Sequence, residues 1–373
     1  MKGIKQSILD VLVIGLGPAG IATAVVLHER GLKVKAVDKI RTTAFKIGES
    51  LSPDAEQVLN EIGLSTSFLV EQHLPSFGNR SSWGHDGLSY TDFIRHPNAK
   101  GWHLNRIRFD QHLLDYAVST GVECITSSHV AMINKQEEGW SYQLRNGEQG
   151  RARFVVDASG RSNWLSRRLD ANKVWEDQQM ALVAWMKSTN EVQDSSSLIE
   201  AMPDGWWYSA VLPEQHLILA FFTDYKKELS PDKYWKPYLE SSKHTKSRVI
   251  RGGFQLVTTP AWADASSGYL PQMYGEGWTA VGDAALCYDP IAAHGITMAL
   301  VAGRDAGYAI VANLNGDASS LHNYQETLKG AYAQYAFQRG QLYFQEKRWP
   351  DAPYWRNRLT ASTSFLEKQG VWE

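Results

Sequence analysis

The sequence has few cysteines, little net charge and no long apolar run. Its 373 residues include two cysteines, Cys124 and Cys287, which are too few for a disulfide framework and too far apart for a Cys-x-x-Cys motif. The 38 Lys and Arg residues nearly balance the 40 Asp and Glu residues, so no overall basic field attracts nucleic acid or anionic lipid. No stretch of about 18 uninterrupted apolar residues predicts a membrane span. We therefore expect a cytoplasmic protein with neither a nucleic-acid nor a membrane partner.

A secretory leader and a metal centre are not expected either. Lys2, Lys5 and the apolar run after them look superficially like a signal peptide, but Asp10 and Pro18 interrupt the pattern and no small-residue cleavage site follows. No HExxH motif or His/Cys cluster has the spacing of metal ligands. What the chain has in excess is aromatic surface, with 14 Trp, 16 Tyr and 12 Phe. This content is typical of a packed core, but also of apolar pockets and partner-binding faces.

The order of the sequence patterns predicts one α/β domain that is interrupted by another domain. A βαβ pattern opens the chain, short aromatic and β-branched runs follow in the middle, and α/β patterning returns near residue 280. The predicted fold class is α/β, with a Rossmann-like dinucleotide-binding domain, an inserted antiparallel β-sheet substrate domain and a helical C-terminal region. The predicted segments are 1–76, 101–165 and 268–315 for the dinucleotide-binding domain, 77–100 for an excursion toward the substrate domain, 166–267 for the substrate domain and 316–373 for the helical region.

Residues 15–20, Gly-Leu-Gly-Pro-Ala-Gly, form a dinucleotide fingerprint between a predicted strand and a predicted helix. The first glycine allows the tight turn, the second lets the backbone approach a pyrophosphate, and the third lets helix and strand pack closely. Asp38 ends the second predicted strand, where its carboxylate can accept a hydrogen bond from a ribose hydroxyl. The alternative is a glycine-rich turn without a ligand. The predicted nucleotide-binding residues here are Gly15, Gly17, Pro18, Ala19, Gly20, Asp38 and Lys39.

A second predicted binding segment begins at residues 281–285, Val-Gly-Asp-Ala-Ala. The pattern predicts a strand and then a turn that carries Asp283, whose carboxylate suits a polyol hydroxyl. A helix that begins near Gly295 can aim its positive end at a ring that carries negative charge when reduced. The alternative makes Asp283 a helix cap and Gly295 a turn residue.

Three ordered motifs, at 15–20, at 157–160 (Asp-Ala-Ser-Gly) and at 282–284 (Gly-Asp-Ala), resemble the FAD-dependent monooxygenases of the p-hydroxybenzoate hydroxylase fold. The resemblance extends over nearly the whole chain and implies that the cofactor is FAD. It also implies that Arg106, in Arg-x-x-Phe-Asp, contacts FAD and that Val130 offers its backbone to adenine. The other residues that the resemblance places at FAD are Ser50, Gly282, Asp283, Gly295 and Ile296.

Two further motifs, Gly-Glu-Ser at 48–50 and Gly-Trp-Trp-Tyr-Ser at 205–209, are similar to the branch that contains tryptophan halogenases and the flavoproteins that mature quinone cofactors. The halogenase pattern has a catalytic lysine some tens of residues after Gly-Glu-Ser, but no lysine occurs between Leu51 and Ala99. Halogenases also carry Pro-Leu-Glu-Ser-Thr-Gly beside the flavin, whereas residues 290–295 read Pro-Ile-Ala-Ala-His-Gly. Halogenation is therefore disfavoured.

What remains resembles the maturation flavoproteins of lysine ε-oxidase and glycine oxidase, whose cysteine tryptophylquinone is built from the oxidase's own Cys and Trp. The short length and the motif at 205–209 fit the glycine oxidase type best. The resemblance implies an FAD-dependent monooxygenase that oxygenates a tryptophan within the precursor of a quinoprotein amino-acid oxidase. Its electron source is open between NAD(P)H and a separate reductase. Two alternatives are a small-molecule aromatic hydroxylase and a non-catalytic flavoprotein chaperone of the oxidase.

Three residues are candidates for the chemistry itself. The resemblance places His294 beside the isoalloxazine, where an imidazole can move a proton near neutral pH, although a capping or packing role is the alternative. Trp206 and Trp207, with Tyr208, are expected to line an accessible, water-excluding groove that binds the precursor. The alternative is that Trp206, Trp207 and Tyr208 are ordinary sheet residues.

Overall fold

A computed structural model of the chain describes residues 8–39, 45–224 and 230–359. The helices within these residues are α1 (Pro18–Glu29), α2 (Ala55–Glu61), α3 (Ser67–Gln72), α4 (Arg106–Thr120), α5 (Pro231–Ser241), α6 (His244–Gly252), α7 (Gly295–Leu314) and α8 (Ser320–Gln345). The strands are β1 (Leu9–Ile14), β2 (Val34–Val37), β3 (Ser50–Leu51), β4 (Leu74–Ser76), β5 (Gly78–Ser82), β6 (Ser89–Asp92), β7 (Gly101–His103), β8 (Glu123–Ile125), β9 (Val130–Lys135), β10 (Trp140–Leu144), β11 (Gln149–Asp157), β12 (Val174–Trp175), β13 (Gln179–Lys187), β14 (Ser196–Met202), β15 (Gly205–Leu212), β16 (His216–Asp224), β17 (Gln255–Leu256), β18 (Ala261–Asp264), β19 (Gly268–Tyr269), β20 (Tyr274–Gly275), β21 (Trp278–Ala280) and β22 (Leu286–Cys287). None of the described helices combines the length and apolarity that a membrane crossing needs.

The first sheet contains the βαβ unit that opens the chain. Its eight strands follow the path β20-β21-β11-β1-β2-β8, with β10 and β9 extending from β11. Strand β1 is parallel to both β2 and β11, and β11 is parallel to β21. The turn from β1 into α1 therefore lies at the carboxyl ends of neighbouring parallel strands, the edge at which open α/β sheets bind ligands.

Helices α1 and α7 pack closely against each other beside this sheet. Every residue of α1 from Ala19 to Leu27 is buried, as is typical of a helix covered on all sides. A Cβ atom at Gly303 of α7 would lie 2.2 Å from the carbonyl oxygen of Ala19, so only glycine permits this approach. Thr23 of α1 also donates a hydrogen bond of 2.9 Å to the carbonyl oxygen of Gly303. The start of α7 is thereby fixed relative to the start of α1.

The second large sheet also has eight strands, in the order β17-β13-β16-β15-β14-β5-β6, with β18 paired to β13. Its pairs are antiparallel except for β14 and β5. Strands β5 and β6 come from the predicted excursion at 77–100. Helices α5 and α6 cover one face of the sheet, whereas the end of α8 and the segment after it cover the other. The predicted α/β fold class, with a second, mainly antiparallel sheet, is confirmed, and the predicted domain boundaries stay predictions.

The tryptophans of β15 lie inside this layered packing. Successive strand residues point to opposite faces of a sheet. Trp206 accordingly stacks on Phe222 with ring centroids 4.1 Å apart, while Trp207 packs edge-on against Trp235 of α5 at 5.3 Å. Trp206 is 1% exposed and Trp207 is 0% exposed. The expectation that these two residues line an accessible groove is wrong, because both faces of the sheet are covered.

Candidate flavin site

Three glycine-containing motifs converge at the start of α1. Gly15 has φ +117°, and a Cβ atom there would lie 2.2 Å from the carbonyl oxygen of Ala158. A Cβ at Gly20 would lie 2.1 Å from the carbonyl oxygen of Gly15. Gly282 has φ +57°, and its Cβ would lie 2.7 Å from the Cβ of Ala19. The strand–turn–helix segments therefore approach one another so closely that these positions require glycine.

Gly17 differs from these glycines because it faces open space. A Cβ built on Gly17 would meet nothing within 4 Å, although the residue is the N-cap of α1 and Pro18 follows it. No side chain caps this helix, so its first N–H groups and its positive end face that space. This is the geometry that binds a pyrophosphate. The residues present therefore fit the phosphate portion of a dinucleotide.

Asp38 lies beside the same turn. Its Oδ2 accepts a hydrogen bond of 2.9 Å from the backbone N–H of Leu16, so the carboxylate holds the glycine-rich turn in place. Lys39 is exposed next to it and forms an isolated β-bridge with Ser127. Val130 is buried, and its backbone is paired with Leu144 in the sheet. A ribose contact from Asp38 and an adenine contact from Val130 stay predictions.

The Asp-Ala-Ser-Gly motif has a structural role. The Asp157 carboxylate is buried and accepts hydrogen bonds from the backbone N–H groups of Ser159, Leu165 and Ser166 at 2.9 to 3.2 Å. The backbone N–H of Val281 donates to the carbonyl oxygen of Asp157 at 3.0 Å. Asp157 thus ties the segment after β11 to the turn that carries the next motif.

Asp283 is in a short 3₁₀ turn, Gly282–Ala284, with 40% of its side chain exposed. Two cations that sequence reasoning missed lie beside it. Arg161 Nε is 3.8 Å from the carboxylate, and Lys173 Nζ donates to the backbone oxygen of Asp283. Arg161 directly follows the Asp-Ala-Ser-Gly motif, which was the available signal for it, whereas Lys173 is in a segment without a motif.

The first turn of α7 offers a second open helix end. A Cβ at Gly295, its first residue, would meet nothing within 4 Å, and Ile296 after it is 7% exposed. His294 directly precedes the helix, and the residue is exposed to solvent. Protein atoms near its imidazole still displace part of the surrounding water, and this desolvation lowers the pKa of His294. The Asp54 carboxylate partly opposes the shift. The geometry suits a ring over the helix end with a neutral imidazole nearby.

Arg106 binds the Gly-Glu-Ser loop rather than open space. Its Nη1 donates hydrogen bonds of 2.7 and 2.8 Å to the carbonyl oxygens of Ile47 and Gly48, and its Nη2 lies 3.1 Å from the Asp110 carboxylate. The residue is only 8% exposed. Within the structure Arg106 therefore positions the loop, and the direct FAD contact stays a prediction.

The same loop joins the second sheet to α7. Ser50 Oγ lies 2.6 Å from the hydroxyl of Tyr208 in β15, and Ser52 Oγ lies 2.8 Å from Oγ1 of Thr297 in α7. Burial, together with the nearby Glu49 carboxylate, raises the pKa of Tyr208 to about 12. The structure thus brings the predicted Ser50 to Tyr208 and close to the predicted Gly295 and Ile296.

Among the described residues no group of three or more His, Cys, Asp or Glu side chains is arranged to hold a metal ion.

The parallel sheet, the glycine-dependent turn and the open helix end define a dinucleotide-binding protein of the Rossmann-like type. Residues 8–336 match the FAD binding domain family, and the chain belongs to it. Its cofactor is FAD, and the protein is an FAD-dependent oxidoreductase of the class that contains flavin monooxygenases and halogenases.

Relatives of known sequence agree with this class. The chain is 28% identical to the putative FAD-dependent oxidoreductase LodB of Marinomonas mediterranea, over 94% of this chain and 96% of the relative. It is 27% identical to a 1H-pyrrole-2-carbonyl-[peptidyl-carrier protein] brominase of Pseudoalteromonas luteoviolacea, over 83% of this chain and 78% of the relative.

Solved structures share the fold. The flavin-dependent halogenase CmlS superimposes with a TM-score of 0.84 at 23% identity, covering 98% of this chain and 70% of its own. QhpG, a peptidyl tryptophan dihydroxylase essential for tryptophylquinone cofactor biogenesis, superimposes with a TM-score of 0.79 at 22% identity, covering 94% of this chain and 79% of its own.

Proposed function

We propose that the protein is an FAD-dependent monooxygenase that oxygenates a tryptophan within a partner protein. The partner is the precursor of a quinoprotein amino-acid oxidase of the glycine oxidase type, in which the oxygenated residue becomes part of cysteine tryptophylquinone. The observation that carries the proposal is the fold shared with the peptidyl tryptophan dihydroxylase QhpG. The near full-length similarity to LodB supports the class of FAD-dependent oxidoreductase.

In this proposal FAD supplies the two electrons for the reduction of O2. The N–H groups at the start of α1, beyond Gly17, would bind the pyrophosphate, and Asp283 would bind the ribityl or pyrophosphate region. The positive end of α7 at Gly295 would stabilise negative charge on the ring when FAD is reduced. To His294, which directly precedes α7, we assign the exchange of a proton near the ring.

Halogenation is the main competing activity, because several relatives are halogenases. Strand β5 comes from the neighbourhood in which halogenases carry their lysine, and its cation here is Arg80. This guanidinium is committed to structure, since it pairs with the Asp194 carboxylate and donates 2.7 Å to Ser196 Oγ. No lysine occurs between Leu51 and Ala99, so this part of the chain offers no ammonium group to direct hypohalous acid.

Co-expression with candidate oxidase precursors tests the proposal. We expect the mass of the precursor's cofactor peptide to increase by the mass of one or more oxygen atoms when the wild-type protein is present. A Gly17→Val variant, which should fold without FAD, separates catalysis from chaperoning: it should leave the peptide unmodified. A matured oxidase with Gly17→Val would support the chaperone instead, and an unmodified peptide with the wild-type protein would contradict the oxygenase.

The electron source can be assigned with the same preparation. NAD(P)H added to the purified protein without O2 bleaches the flavin if the protein accepts hydride directly. A flavin that bleaches only after a reductase is added indicates a separate electron donor. Either result is compatible with the oxygenase.

A further inference from the structure

A cavity of about 210 Å³ separates the Gly-Glu-Ser loop from the second sheet. Phe45 and Trp185 form part of its wall, stacked with ring centroids 5.2 Å apart, and His216 packs edge-on against Phe45 at 5.4 Å. Arg106 and Glu49 complete the inner wall. The cavity thus combines aromatic surface with a buried acid and a buried cation.

Glu49 is the unusual group in this wall. Its side chain is buried, with the residue 3% exposed, and one carboxyl oxygen accepts a 2.9 Å hydrogen bond from the backbone N–H of Gly48. The other oxygen, Oε1, is buried without a hydrogen-bond partner. Burial of a carboxylate oxygen without a hydrogen-bond donor costs free energy, so such an oxygen usually binds a ligand or carries a proton.

The surroundings of Glu49 keep its carboxyl group partly protonated near neutral pH. Burial raises the pKa of Glu49 to about 7, although the Arg106 guanidinium and the nearby Trp185 indole act in the opposite direction. The other titratable groups that line the same cavity are Lys46 on its own loop, Glu214 from the β15–β16 connection and His216 at the start of β16, and the Tyr208 hydroxyl of β15 interacts with Glu49. A carboxyl group with this pKa can both release and regain a proton near pH 7.

The loop that carries Glu49 also contacts the helix end that we assign to the flavin ring. Ser50, the next residue, has its Oγ 2.6 Å from the hydroxyl of Tyr208. Ser52 Oγ lies 2.8 Å from Oγ1 of Thr297 in the first turn of α7. Because Ser52 is three residues from Glu49, the two Cα atoms are at most about 10 Å apart.

We propose that Glu49 supplies the proton consumed when O2 is reduced at the flavin. The proposal rests on the oxygenase function. Oxygenation of a substrate RH follows RH + O2 + FADH⁻ + H⁺ → ROH + FAD + H2O. Without substrate the reaction is FADH⁻ + O2 + H⁺ → FAD + H2O2. In both cases the carboxyl O–H of Glu49 breaks, its proton goes to an oxygen atom derived from O2, and solvent returns the proton afterwards.

Reoxidation of the holoprotein without any partner tests this role. FAD in the protein is reduced anaerobically with dithionite and mixed with O2 between pH 5.5 and 9. We expect the wild-type rate to fall as the pH rises through about 7, because the donor form of Glu49 is lost. Glu49→Gln should be about tenfold slower or more at pH 6 and should lose this pH dependence.

Glu200→Gln is the matched control, since Glu200 is equally buried at 3% but its carboxylate is fully engaged with the N-terminus of α6. It should retain the wild-type pH profile even if it is less stable. A pH profile for Glu49→Gln equal to that of the wild type would overturn the proposal.

An infrared measurement does not depend on turnover. The wild-type minus Glu49→Gln difference spectrum should contain a protonated-carboxyl band that disappears as the pH rises through about 7. If Glu49→Gln fails to fold, ¹³C-glutamate labelling of the wild-type holoprotein replaces it, and absence of any titrating glutamic acid band overturns the proposal. Because neither readout uses a precursor, failure of the maturation function is seen separately in the co-expression experiment.

Discussion

At the scale of single residues, the glycines of the site divide into those that close backbone contacts require and those that we assign to the approach of the cofactor. Gly15 and Gly20 belong to the first group, since a Cβ at either would overlap backbone atoms. Gly17 and Gly295 belong to the second, since a Cβ at either meets only open space at a helix start. The distinction is testable, because substitution in the first group should impair folding, whereas substitution in the second should impair FAD binding.

Gly17→Val is therefore expected to fold normally and to lose FAD. The side chain fills the space in which the pyrophosphate would lie, and the N-cap φ of −76° suits any residue. Thermal unfolding of the apoprotein and flavin absorbance after desalting measure the two effects. Gly330→Val is the control, because its Cβ is also unobstructed but lies in α8, so FAD should be retained. Tight FAD retention by Gly17→Val would contradict the pyrophosphate assignment.

Trp207, unlike Gly17, is surrounded entirely by protein atoms, so its substitution should affect stability. Trp207→Ala should lower the free energy of unfolding by about 3–5 kcal/mol through the cavity that it leaves. Urea unfolding measures this loss. Trp175→Ala, at a side chain that is 44% exposed, should cost less than about 1 kcal/mol. Equal stability of the two variants would contradict the buried position of Trp207.

His103 gives the stability a pH dependence. Its Nδ1 donates to the carbonyl oxygen of Val211 at 2.9 Å and the residue is 1% exposed, so desolvation lowers its pKa to about 4. Between about pH 4 and 6.5 the unfolded chain, in which the histidine pKa is near 6.5, binds more protons than the folded chain. The free energy of unfolding therefore falls as the pH drops from about 6.5 to 4. The limiting loss is roughly 3 kcal/mol. His103→Gln should flatten this part of the unfolding free energy against pH, and an unchanged slope would exclude His103 as the cause.

At the scale of elements, the loop at 47–52 links the second sheet to α7, and α4 holds it through Arg106. Arg106→Met should destabilise the protein by about 3 kcal/mol and weaken FAD binding, because the loop carbonyls and Asp110 lose their buried partner. Fluorescence titration with FAD and urea unfolding measure both effects. Arg108→Met is the control on the same helix: its pair with Glu214 is half exposed, so it should cost less than about 1 kcal/mol. Normal FAD affinity in Arg106→Met would contradict a role for this loop at the flavin.

The elements also show what the sequence can predict. The turn at 15–20 and the α7 start are local features, in which spacing and glycine chemistry determine the backbone, and they were predictable. The burial of Trp206 and Trp207 was not, because it depends on α5, α6 and the segment after α8, which are distant in sequence. The buried acid Glu49 was equally hidden, since its environment is assembled from the 45–49 loop, α4 and the second sheet.

At the scale of the whole molecule, one fold serves both halogenases and oxygenases, so individual side chains decide the product. With reduced flavin, O2, free tryptophan and chloride or bromide, we expect no halogenated tryptophan by mass spectrometry, and equal O2 consumption with and without halide. The physical reason is that the chain offers no lysine between Leu51 and Ala99 to direct hypohalous acid, and Arg80 is held by Asp194. A halotryptophan in this assay would reverse the assignment and require another cation to replace that lysine.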